Sequence, residues 1–376
     1  MAKKRVTVYF ATNRQPMLED GSEQIINFSD SLGPTGGLDV RYGVAQVDVD
    51  IAGKTTMVVP GSPRVAGENQ VPAANESRLL GSDTIFEAIR SDMAGQERPT
   101  LAFIHGFSNT FFDGVARAGW NLEFLKLDAN VFVFSWPSRG TLLGIPAAFT
   151  DYSHDRATAE ASGPAVARTI RRLHDFVDKL SRERQCNEKI HLLCHSMGNY
   201  VLRHALQALM QLPNPSQDPN SLMDAPTSGG PNPSVLRKTF SQIVLAAPDE
   251  DADAFDDPRK LKFLPRTGEA VTVYHSSKDW VLSTLSAITK FNGPRLGNEG
   301  PDNMSSISDK VSAIDAGAVA DFAADPQAHQ YYRTIPAVAA DIAAVINGTP
   351  QGSVPNRVAR GSARWAIKPP ARRGRG

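Results

Sequence analysis

The sequence predicts an α/β fold, with a mostly parallel central sheet covered by helices on both faces. Three observations predict it. Short, continuous apolar runs recur along the chain. Longer amphipathic stretches alternate with them. The chain has 376 residues, 41% hydrophobic and 21% charged, which is enough to bury a core without covalent staples. Runs that are apolar at every position suit strands buried on both faces, and strand–helix alternation favours parallel neighbours.

Taken in order, the first elements read as antiparallel. VTVYF, YGVAQVDVDI and TMVVP alternate with period two. The continuous apolar runs then follow at 99–106 (PTLAFIHG), 130–137 (NVFVFSWP), 189–196 (KIHLLCHS), 241–248 (SQIVLAAP) and 270–277 (AVTVYHSS), with a further strand at 311–317 (VSAIDAG). Between them, 155–181 carries Val166, Ile170, Leu173, Phe176, Val177 and Leu180 at helical spacing. A second helix begins at Met197 and runs through Tyr200, Leu202, Leu206 and Met210. Pro, Asn, Ser and Gly mark 213–233 and 291–308 as long surface loops, and Gly140, Gly144 and Pro146 mark 139–150 as a loop or short cap. The result is one domain over 1–347 with insertions at 139–150, 213–233 and 291–308, and a basic tail over 348–376.

The formal net charge is zero, which argues against a general nucleic-acid binder. From residue 351 onward, however, there are seven basic residues and no acid, leaving the body at about −7. This Pro-, Gly- and Arg-rich end reads as disordered, either a solubilising extension or an electrostatic tether. No apolar run approaches the ~18 residues of a membrane span, and the N-terminus lacks the apolar centre of a signal peptide. The two cysteines, Cys186 and Cys194, exclude a disulfide framework and fit a reducing compartment, so a cytoplasmic location is expected. No G-x-G-x-x-G follows an early strand, which excludes a dinucleotide-dependent dehydrogenase.

Chemistry concentrates at Cys194-His195-Ser196-Met197-Gly198. Strand, then x-H-S-x-G, then helix is the pattern of a nucleophile elbow, with Cys194 where its first glycine would stand. Ser196 is the expected nucleophile. The expected oxyanion hole is the N–H groups of Phe107 and Met197, with Gly106 letting the backbone approach the substrate. The elbow order Ser, acid, His leaves His275 and His329 as the histidines beyond the elbow helix. His275 falls within a strand, so His329 is the expected base. Asp279, in the turn after 270–277, is the favoured acid, with Asp249 the alternative. The series Asp249, Asp251, Asp253 lacks the Gly and Glu of a calcium loop, so no metal is expected. His195, Trp136, Leu142, Ile145 and Phe149 complete the expected substrate-binding set, with Trp136 and Phe107 flanking the entrance and Leu143 beside Leu142.

Read in order, HGFSNTFFDGVARAGWNL, VFVFSWPSRG, Tyr152-Ser153-His154-Asp155, HLLCHSMGNYVL, VLAAPDEDADAF and YHSSKDWVLS, with FATNR near the start, resemble a bacterial α/β-hydrolase family of formerly unknown function. The resemblance covers roughly residues 5–345. It implies an α/β-hydrolase fold and a serine esterase or lipase-like activity. The expected substrate is a small carboxylic ester with a short to medium acyl group, cleaved without a cofactor. An amidase or acyltransferase using the same triad is the alternative within enzymes. A non-catalytic scaffold that binds a partner is the alternative outside them.

Overall fold

The computed structural model describes residues 3–67, 81–96, 98–140, 144–182, 189–211, 231–286 and 293–369. The strands are β1 (Lys4–Thr12), β2 (Arg14–Leu18), β3 (Ile25–Leu32), β4 (Arg41–Asp50), β5 (Thr55–Val58), β6 (Arg64–Val65), β7 (Thr100–Ile104), β8 (Asn130–Ser135), β9 (Ile190–His195), β10 (Phe240–Ala246), β11 (Gly268–His275), β12 (Val311–Asp315), β13 (Arg357–Gly361) and β14 (Arg364–Ile367). The longer helices are α1 (Gly81–Gln96), α2 (Phe111–Phe124), α3 (Gly144–Arg182), α4 (Gly198–Leu209) and α5 (Pro336–Ile346).

The main sheet runs β13-β14-β12-β11-β10-β9-β7-β8-β1-β4-β5, with β6 along β4 and β2–β3 forming a separate ribbon. Every neighbouring pair from β1 to β12 along this path is parallel, and β4 enters antiparallel beside β1. Alternate residues of β7 serve opposite layers. Ala102 and Ile104 face the core under α1, α3 and α4, whereas Leu101 and Phe103 face the core under α2 and α5. A strand with apolar partners on both sides has no polar face, which is why its sequence shows an unbroken apolar run.

Topology positions the site. The chain passes from β7 through α2 to β8 on one side, then through α3 to β9 on the other side of β7. A crevice opens at the carboxyl ends where strand order reverses in this way. Ile104 and Cys194 lie side by side there in register.

Two expectations are corrected. The segment 139–150 is not a loop throughout, because α3 already begins at Gly144. Pro146 sits in its first turn, where a missing N–H breaks no helical hydrogen bond. The tail expected from 348 is ordered through residue 369: Arg357–Gly361 and Arg364–Ile367 form an antiparallel hairpin, and Arg364–Ala366 pair in parallel with Ala313–Asp315. Composition averages over a hairpin whose Ala366 and Ile367 are buried against the body. Residues 370–376, like most of the 213–233 segment, lie outside the described residues. Among the described residues no helix is long and apolar enough to cross a membrane.

Candidate active site

β9 ends at His195 and α4 begins at Gly198, so Ser196 occupies the turn between them. Its φ is 51°, a left-handed conformation that costs an L-residue energy and needs support from its surroundings. The Ser196 N–H donates to Ala246 O at 3.0 Å, and its carbonyl accepts from the Asn199 amide Nδ2 at 3.0 Å and the Asp249 N–H at 3.2 Å. A Cβ at Gly198 would stand 2.5 Å from Ile104 O, so only glycine lets α4 start this close to β7. Cys194, two residues before Ser196, is fully buried, and burial pushes its thiol pKa up, away from thiolate chemistry.

His329 Nδ1 donates to Asp279 Oδ2 at 2.7 Å, and both side chains are buried. A carboxylate only accepts, so the proton is on Nδ1 and the Nε2 lone pair is left available. Among the described residues Nε2 has no hydrogen-bond partner. The loop carrying His329 is fixed at several points. His195 Nε2 donates to His329 O at 3.1 Å, Gln327 O accepts from Trp280 N–H at 3.0 Å, and Asp325 accepts from Gln330 N–H. Asp279 is anchored by the Leu282 N–H at 3.1 Å. Burial disfavours a charged His329, but the charge and hydrogen bond of Asp279 outweigh it and hold the imidazole pKa above its usual value. Burial, helped by the Asp325 charge, holds Asp279 above the usual carboxylate range, although His329 and the Leu282 N–H pull it down.

The loop after β7 reaches the same place. An ideal Cβ on Gly106 would lie 3.0 Å from both the Ser196 Cβ and His195 Nδ1, so glycine permits the approach. Among the described residues no backbone acceptor is bonded to the N–H of Phe107 or of Met197. The loop is held from behind. Asn109 Nδ2 donates to Gly106 O at 2.9 Å and to Phe107 O at 2.8 Å. Asp155 accepts from Ser108 N–H at 3.2 Å, Ser138 Oγ at 2.6 Å and Arg139 N–H at 3.0 Å. Arg14, fully buried, donates to the carbonyls of Asn109 (2.8 Å), Ser29 (3.0 Å) and Ser138 (3.2 Å) and to Ser135 Oγ (3.0 Å). Arg14 and Asp155 belong to two of the sequence motifs, FATNR and Tyr152–Asp155, but nothing in their spacing showed that they meet behind this loop.

Phe107, Arg117, His195, Ser196 and His329 line one cavity of about 100 Å³, with Val281, Gln327 and Gln330 on its wall. Ser196, Asp279, His329, Phe107 and Gly106 therefore come together as expected from the sequence. Trp136 does not. It is fully buried, stacks on His105 at 5.3 Å, and donates its indole N–H to His105 O at 2.8 Å, so it braces the loop after β7 rather than flanking an entrance. Asp249 is committed elsewhere, accepting from Tyr152 Oη at 2.5 Å and from Arg295 Nη2 at 2.6 Å, and it is Asp279 that bonds the His329 ring. The acidic turn at 249–251 is folded inward around Arg295, which also pairs with Asp251. Among the described residues no group of three or more His, Cys, Asp or Glu is placed to hold a metal. Leu142 and Leu143 lie outside the described residues. Ile145 and Phe149 stand in the first two turns of α3, with side chains outside that set.

The fold and this strand–serine–helix turn define the α/β-hydrolase class. Residues 84–347 match the family described as alpha/beta hydrolase of unknown function (DUF900), and the chain belongs to that family. An uncharacterized protein of Nostoc sp., alr1448, is 35% identical over 89 residues, which is 24% of this chain and 18% of that protein. The chain therefore spans about a fifth of that relative's length. Among solved structures, an acetyl xylan esterase matches with a TM-score of 0.31 at 10% identity, over 68% of this chain and 99% of that one. The acylaminoacyl peptidase of Pyrococcus horikoshii matches with a TM-score of 0.28 at 10% identity, over 82% of this chain and 47% of that one.

Proposed function

We propose that this protein is a serine hydrolase that cleaves carboxylic esters of short to medium acyl length through an acyl-enzyme. The observation that carries the reading is the 2.7 Å His329–Asp279 hydrogen bond in the cavity wall beside a strained Ser196. The Nδ1 proton held by Asp279 directs the Nε2 lone pair toward incoming substrate. As substrate closes the Ser196–His329 gap, Nε2 takes the Oγ proton and Oγ attacks the ester carbonyl. The oxyanion falls to the N–H groups of Phe107 and Met197. The imidazolium, steadied by Asp279, returns its proton to the leaving alcohol. Water then repeats the sequence on the acyl-enzyme.

Intact-mass analysis after exposure to a fluorophosphonate tests this. A single adduct is expected on the wild type, none on Ser196→Ala, and slow formation on His329→Ala. An unlabelled, folded wild type would remove the reading. Turnover of a nitrophenyl ester chain-length series then tests the acyl preference, and a maximum at long chains contradicts the short-to-medium assignment.

A further inference from the structure

Arg117 stands on α2 and contributes its side chain to the wall of the cavity that holds Ser196 and His329. Three guanidiniums that lie out of solvent have acceptors. Arg14 has carbonyls, Arg295 has Asp249 and Asp251, and Arg357 has Asp341. Arg117 pairs with no carboxylate among the described residues. Its surroundings include a second cation, Arg333, which opposes its charge, while Tyr332 and Asp113 favour it. Asp113 is engaged in capping α2, accepting from the Thr110 N–H at 2.9 Å. Arg333 is tied to the same helix, because its carbonyl accepts the Trp120 indole N–H at 3.0 Å. Burial, reinforced by Arg333, pushes Arg117 down to about 10, the direction expected of a cation short of counter-charge. Both arginines also disfavour a charged His195, so their field reaches the base of the cavity.

A half-buried guanidinium that lines a cavity and pairs with no carboxylate is placed to bind an anionic ligand. We infer that the substrate carries an anionic group, a carboxylate or phosphate, which Arg117 binds while Ser196 attacks the ester elsewhere in the same molecule. The inference rests on the hydrolase reading of this cavity and adds the charge class of what enters it. A neutral ester would leave Arg117 unpaired in the closed complex, whereas an anionic one completes it.

The test compares monomethyl glutarate with the methyl ester of glutaramic acid, which has the same shape but an uncharged amide. Each is titrated calorimetrically into full-length Ser196→Ala protein, which cannot turn them over. Binding at least about tenfold tighter for the carboxylate is expected, as is usual for a hydrogen bond to a charged group. In the Ser196→Ala/Arg117→Gln protein the two affinities should converge to within about twofold. Arg117→Lys should keep the direction of the preference, which separates loss of charge from loss of fold. Equal affinities in Ser196→Ala, a preference that survives Arg117→Gln, or no binding of either compound at millimolar concentration overturns the inference. Fluorophosphonate labelling of the wild type is read separately. Its failure would strike the hydrolase reading and with it the place of the anion in an ester substrate, whereas failure of the titration with normal labelling would strike the anion site alone.

Discussion

At His329 two forces oppose each other. Burial favours the neutral ring, and the Asp279 charge and hydrogen bond favour the cation, with Asp325 and Asp249 adding to it. The balance lies above the ordinary value of 6.5. A general base must be neutral, so kcat/KM should rise with pH through a limb placed above 6.5. By the same sign, the pair's contribution to stability is full below 6.5 and is lost as pH rises through the raised value. In Asp279→Asn the largest upward force is gone, and burial is opposed only by Asp325 and Asp249. The limb should move to lower pH while kcat falls by roughly 10³–10⁴, because the amide no longer fixes the tautomer. A pH–rate profile on a nitrophenyl ester checks both effects, and an unmoved limb contradicts the account. Ser196 and Asp279 were legible in the sequence because each closely follows an apolar run, where a buried strand must end at the carboxyl edge, and His329 because the Ser, acid, His order left few histidines beyond the elbow. Arg117 and Trp136 were not. A helix pattern records what faces the core and is silent on which polar residue turns toward a cavity. An aromatic at a strand end can as easily turn inward once its N–H finds a carbonyl, as Trp136 does with His105.

Among the elements, the loop from Gly106 to Thr110 is shaped both by its own Asn109 and by distant parts of the chain. Ser108 sits at φ 57°, and the loop's support comes from β1–β2 through Arg14 and from α3 through Asp155. Asn109→Ala removes the two bonds to Gly106 O and Phe107 O while leaving the core intact. It should lower kcat roughly 10–100-fold, the scale of a misplaced oxyanion donor, with an unchanged circular dichroism spectrum. Arg14→Met should act mainly on stability. It strips the Asn109, Ser29 and Ser138 carbonyls of a common donor, and leaving such buried acceptors unmet costs about 3 kcal/mol or more, measurable by urea unfolding. Stability equal to the wild type in Arg14→Met would show that the loop holds itself. The strands of the parallel sheet and β1, β4 and β5 were legible to within about two residues, because period and apolarity are local properties, whereas β2, β3, β6, β13 and β14 were not. The long-range joins were not: a contact such as Arg14 to Asn109 spans 95 positions and leaves no mark on local pattern.

Across the whole molecule, the zero net charge is made by pairing distant parts. Basic residues that composition assigned to a free tail close the sheet instead. Arg357 grips Asp341 of α5 with two bonds of 2.7 and 2.5 Å, and Tyr274 of β11 donates to the same carboxylate at 2.6 Å. Arg364, beside the β12 edge, donates to Pro301 O. A chain ending at Thr349 would leave Asp341 and Tyr274 buried without their cation and would expose the β12 edge. Breaking a buried ion pair from one side costs about 3–5 kcal/mol, which for a chain of this length lowers Tm by about 5 °C. The bared edge also invites aggregation on heating. A chain ending at Pro369 keeps every one of these contacts. Scanning calorimetry on the two truncations therefore separates the alternatives. A hairpin that completes the sheet predicts a lower Tm in the shorter chain and a wild-type Tm in the longer one. A merely solubilising extension predicts wild-type Tm in both. Arg357→Ala in the full chain should reproduce most of the shorter chain's loss, because the ion pair rather than the strand hydrogen bonds is the contact made deepest in the core.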